Sequence, residues 1–175
     1  MKRAGTQTGF ILIELVVTLV LIGFIGVFTS LFLYTGVTGF ITSKKISETA
    51  LKTQIAMDRI GIELRNMVQD TTTPVPVFAS NSIRYKTDKT EMPGTREISF
   101  DSTTNRLNLR VDNGTPYLYL LLDGVQSFTV ATDAADMDYE NSDNELSAIR
   151  IGMQMVDVGT QFTMRFYPRN PINMP

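Results

Sequence analysis

From residue 10 to residue 42 the chain is apolar with one interruption. Glu14 is the only charged side chain in those 33 residues. About 20 apolar residues suffice for a helix to cross a bilayer core, so the run is long enough to span one and continue. It contains Gly23, Gly26, Gly36 and Gly39 but no proline; the first proline of the chain is Pro74. Past residue 44 the pattern becomes one-sided. Ile46, Ala50, Thr53, Met57, Ile60, Leu64 and Met67 recur at alternating spacings of four and three, the stripe of an amphipathic helix. Lys45, Lys52, Asp58, Arg59, Glu63 and Arg65 fall on other faces. Arg59 and Glu63 are four apart, a helix pair in the less favourable order. The reading is one helix of about 60 residues, roughly 90 Å long. Its first half is apolar all round and its second half one-sided. Asp70-Thr-Thr-Thr-Pro74 stops it, so it should end near residues 69–73.

After Pro74 the period shortens to two. Segments 75–79 and 82–86 read as short strands. Segments 96–101 and 105–111 alternate clearly, and Ser102-Thr-Thr-Asn105 links them as a hairpin. Asp112-Asn-Gly-Thr-Pro116 is a second turn signal. Segments 117–122 and 125–131 follow, joined at Asp123-Gly124. Segments 148–156 and 161–167 close the chain around the turn at 157–160. Such tight spacing predicts an antiparallel meander with one buried face, covered by the stripe on residues 46–67. The fold class is α+β: a long N-terminal helix, transmembrane then amphipathic, packed on an antiparallel β-sheet.

Composition removes several function classes. The chain has 175 residues, no Cys and no His, and a formal net charge of −2. Without Cys there is no disulfide framework and no thiolate metal site. Without His the commonest acid/base catalyst and nitrogen ligand are missing. No pair of carboxylates is placed by spacing as acid and base, so the expectation is no enzyme and no cofactor. No basic excess points to nucleic acid.

The apolar run is not an ordinary secretory signal. Such a signal has a 7–15-residue apolar region followed by a small-x-small cleavage site; here the run ends in Gly39-Phe-Ile-Thr-Ser-Lys44. Lys2 and Arg3 ahead of it favour an N-terminus on the cytoplasmic side, against Lys44 and Lys45 beyond it. A carboxylate near the centre of a bilayer costs roughly 2.5–3.5 kcal/mol on insertion scales. Glu14 therefore calls for a partner or a place at the water boundary.

The basic leader with Lys2 and Arg3, the Gly9-Phe10 junction and Glu14 five residues past Gly9 resemble the prepilin signature of the type IV filament superfamily. The resemblance covers roughly residues 1–40. It implies cleavage between Gly9 and Phe10 by a prepilin peptidase that also N-methylates Phe10, both acting at the bacterial inner membrane. It also implies that Glu14 pairs with the N-terminal amine of a neighbouring subunit during assembly. The pilin fold, one membrane pass, a periplasmic C-terminal domain and incorporation into a filament go with it. Domain bounds follow: a leader 1–9, a transmembrane half-helix 10–43, and a pilin-like domain 44–175 with helix 44–70 and sheet 75–168. Removing the leader leaves 14 basic side chains against 18 acidic.

Further along, Arg59-Ile-Gly-Ile-Glu-Leu-Arg65, Ile98-Ser-Phe-Asp101, Asp123-Gly-Val-Gln-Ser-Phe128 and Phe166-Tyr-Pro-Arg-Asn170 resemble J-type minor pseudopilins of type II secretion and W-type minor type IV pilins. Major pilins of the superfamily often carry a proline where this chain has Leu31, and often close a C-terminal loop with a disulfide. Both departures favour a minor subunit that helps start a filament at its tip. A major shaft pilin and a membrane-anchored periplasmic binding module are the alternatives. The expected partners are other pilin or pseudopilin subunits, the peptidase and N-methyltransferase, and the inner membrane.

Residues 133–145 hold six carboxylates in thirteen residues and read as a solvated loop. Asp133, Asp136 and Asp138 are its calcium candidates. An EF-hand frame starting at Asp136 fails, with Asn141 at position 6 and Ser147 at position 12.

Overall fold

The computed structural model describes residues 12–72, 74–136, 144–156, 158–159 and 161–174. Among the described residues one helix, α1 (Leu12–Arg65), precedes ten strands: β1 (Met67–Val68), β2 (Val77–Ala79), β3 (Ser82–Thr87), β4 (Thr95–Asp101), β5 (Arg106–Asp112), β6 (Pro116–Asp123), β7 (Val125–Ala135), β8 (Asn144–Met155), β9 (Gln161–Phe166) and β10 (Asn173–Met174). The architecture is α+β, a long helix packed against antiparallel sheets. Two compact units divide at residues 45 and 46.

The first unit holds the apolar part of α1. No residue of its most apolar stretch is buried. The backbone stays helical through Gly23, Gly26, Gly36 and Gly39. Within this stretch the hydroxyls of Thr18 and Thr35 donate back to the carbonyls of Leu15 and Leu31, each at 2.9 Å. Both are thereby satisfied inside the helix, as a lipid environment demands.

The second unit holds the core. Thr53, Ala56, Met57, Ile60, Glu63 and Leu64 are the buried face of α1. Four positions of the predicted stripe before Met67 are on it, but Ile46 is exposed and Ala50 half-buried. Ala56 and Glu63, seven residues apart, widen the arc. The helix also stops earlier than expected, at Arg65, because the backbone beyond it finds better partners. Met67 and Val68 pair with Thr87 and Lys86 of β3. The final turn is capped by Asn66, whose amide donates to the Ile62 carbonyl at 2.8 Å, and by the Arg169 N–H on the Arg65 carbonyl at 3.0 Å.

The strands depart from a single meander. One sheet runs β1-β3-β4-β5-β6, with β2 also on β3; the other has β10, β8 and β7 in order, with β9 also on β8. The break falls at Asp123-Gly124, where two consecutive strands do not pair. Gly124 takes a left-handed φ of 69°. Val125 N–H then bonds to the Asn105 carbonyl at 3.0 Å and Val130 N–H to the Ser80 carbonyl at 3.0 Å. Thus β7 leans on the first sheet while its ladder belongs to β8. Two faces, not one, enclose the core: Ile83, Tyr85, Ile98 and Leu107 from the first sheet, Phe128, Ile149, Ile151 and Met153 from the second.

Local chemistry explains the turns. In the β4–β5 hairpin the Asp101 carboxylate accepts from Thr103 N–H at 2.9 Å and from the Thr104 hydroxyl at 2.7 Å, and Asn105 adopts φ 54°. The Thr104 hydroxyl, with the Thr103 N–H, holds the Asp101 carboxyl below its usual range. Ahead of β4, Gly94 has φ 85°, and a Cβ there would lie 2.3 Å from the Asp112 carbonyl oxygen. Only glycine fits that crossing.

Candidate functional site

Two features stand out: the apolar helix with its lone carboxylate, and an ionic cluster buried under the amphipathic half. Of the helix start, Lys2, Arg3, Gly9 and Phe10 lie outside the described residues. Glu14 sits in the first turn of α1, exposed among exposed apolar neighbours. A carboxylate there is favoured by the N-terminal end of the helix dipole. Among the described residues, no cation comes within ion-pair distance of it. α1 is long and apolar enough to cross a membrane. That is compatible with a single-pass anchor.

The ionic cluster was not legible in advance. Helix spacing puts Glu63 on a polar face beside Arg59, but in the fold it is fully buried in the core. Both its oxygens are occupied. Oε2 accepts from Arg96 Nε at 2.7 Å and from the Tyr85 hydroxyl at 3.0 Å. Oε1 accepts from Arg96 Nη2 at 2.8 Å and from Arg59 Nη2 at 2.7 Å. The two-pronged Arg96 contact is the strong, planar form of the pair. Tyr85 and Arg96 are cross-strand partners on β3 and β4, so one sheet position presents both to the helix. Burial, and then the Glu63 charge, push the Tyr85 hydroxyl well above its ordinary value. Burial alone would lower Arg96, but the hydrogen bonds and charge of Glu63 outweigh it and raise the guanidinium. Both oxygens of the Glu63 carboxylate are therefore taken up inside the cluster. The cluster fixes the rotation of α1 on the first sheet.

The acidic segment differs from the solvated loop expected for residues 133–145. β7 extends through Ala135 and β8 begins at Asn144, so both ends of the segment are ladder residues. Glu145 is buried. Asp133 holds Arg150 Nη2 at 2.8 Å and Arg165 Nη2 at 3.1 Å, one on each oxygen. Those two arginines are cross-strand partners on β8 and β9. A carboxylate clamped by two guanidiniums is a poor calcium ligand, so Asp133 leaves the candidate set. Asp136 is exposed at the end of β7 and Asp138 lies outside the described residues. Among the described residues no three acidic side chains converge on one point.

The chain matches no protein-family model, no curated protein and no solved structure.

Proposed function

We propose that this protein is a minor pilin or pseudopilin, a subunit that helps initiate a type IV pilus or type II secretion pseudopilus at its tip. The observation that carries the reading is the lone Glu14 in the first turn of a fully exposed apolar helix. An isolated helix in lipid gains nothing from that charge. A helix leaving lipid for a bundle gains from it when a cation of the next subunit, such as a free N-terminal amine, sits beside it. Gly9-Phe10 behind Lys2 and Arg3 supplies such an amine once the leader is cut. In this reading Phe10 becomes the N-methylated first residue in the bacterial inner membrane. The globular unit then stands in the periplasm, and the work of the molecule is assembly with other subunits.

Crosslinking of Glu14→Gln and Glu14→Ala to partner subunits tests it. The substitutions should lower crosslinking while membrane fractionation stays unchanged. Wild-type crosslinking and filament formation by Glu14→Ala would sink the pairing role.

A further inference from the structure

Among the sheet edges, β6 is unlike the others. It ends the first sheet, and among the described residues its only ladder partner is β5. Tyr117, Leu118, Tyr119 and Leu120 are consecutive and 54–67% exposed, on both faces of the strand. Tyr117 and Tyr119 share a face with their partners Val111 and Leu109, beside a groove lined also by Arg59. Leu118 and Leu120 point the opposite way. From residue 113 to residue 122 there is no charge. By contrast, the exposed positions of the β9 edge are Gln161, Thr163 and Arg165. Natural proteins guard open edges with charge, proline or a cover. β6 has Pro116 only at its first position, and among the described residues no strand covers its outer side.

We propose that β6 pairs antiparallel with β6 of a second copy of this chain, joining two first sheets into one. An open edge offers a row of backbone donors and acceptors, so its natural occupant is another extended strand. The occupant must also place apolar side chains on both faces and bring no charge. β6 itself meets these demands. Centred on Tyr119, self-pairing sets Leu118 against Leu120 and Tyr117 against Leu121, and no like charges meet. Four side chains more than half exposed present on the order of 400 Å² per copy, since an aromatic side chain buries about 150–250 Å² in full. Two copies would bury about 800 Å², below the ~1,200 Å² at which specific interfaces become standard. The pair is therefore weak in dilute solution and forms where a membrane concentrates the chain. This inference does not depend on the filament reading.

The absence of cysteine makes the test clean. Single cysteines at 117, 118, 119 and 120, and a control Thr163→Cys on β9, are placed in the full chain in lipid vesicles and oxidised. At least one β6 position should give a disulfide-linked dimer of twice the chain mass, with the β9 control monomeric. Adding Leu118→Lys and Leu120→Lys to the Tyr119→Cys chain opposes like charges and should lower any Tyr119→Cys dimer about tenfold. Monomer at all four positions with thiols open to labelling would overturn the proposal. So would equal dimer from the β9 control, or crosslinks in cells only to a different polypeptide.

Discussion

Removing the guanidinium of Arg96 should strongly destabilise the globular unit. Its side chain is 6% exposed and that of Glu63 fully buried. Arg96→Leu deletes two charge-assisted bonds, of 2.7 and 2.8 Å, and takes the two-pronged partner from a carboxyl buried in the core. Breaking a buried pair from one side typically costs 3–5 kcal/mol. Arg59 still reaches Oε1 from a position 45% exposed, and Tyr85 still donates to Oε2, so the lower end applies: about 3 kcal/mol. For a unit of this size that is a fall in melting temperature of roughly 10 °C. The triple change Glu63→Leu, Arg96→Leu, Tyr85→Phe removes every buried polar group of the cluster. It should lie within about 1–2 kcal/mol of wild type, because a well-packed apolar replacement of a buried pair is often near neutral. Urea unfolding of residues 44–175 followed by far-UV circular dichroism reads both, with an unchanged denaturant slope showing that the native state is intact. A loss under about 1 kcal/mol in Arg96→Leu, or a triple variant less stable than the single, would refute the clamp.

Three further outcomes follow from the same geometry. Deleting residues 1–43 should leave a cooperative thermal transition, because the buried face of α1 begins at Thr53; deleting 1–70 strips the cover from both sheets and should give aggregation. Gly94→Ala puts a Cβ 2.3 Å from the Asp112 carbonyl oxygen at a left-handed φ and should cost at least about 2 kcal/mol in the same urea assay. Because the folded Tyr85 hydroxyl titrates above its unfolded value, the unfolded chain loses that proton first as pH rises past about 10. Stability should therefore be flat in this term below pH about 10 and fall above it, and Tyr85→Phe should make that alkaline decline shallower.

The helix and most strands were readable because apolar periodicity survives folding. An unbroken apolar run and a four-three stripe leave few options, and the strands of residues 82–86, 96–101 and 161–167 reappear within a residue or two. Glu63 was not readable because helix spacing treats a charge as solvated. The available hint was across the sheet: Arg96 shares the inward face of β4 with Ile98, directly beside Tyr85. An inward arginine asks for a buried carboxylate, which only the register of β3 on β4 brings into view. The split into two sheets was hidden for a related reason. Asp123-Gly124 reads as a tight hairpin, and only the long-range bonds to Asn105 and Ser80 turn the chain away. The ends of β7 and β8 were lost because six carboxylates masked a ladder neutralised by Arg150 and Arg165.

The proposed processing into a filament subunit is read out by the N-terminal mass of the protein extracted from membranes. In cells that possess the peptidase, the expected mature chain begins at Phe10 and carries one N-methyl group. Recovery of the intact Met1 terminus from the same cells would contradict it.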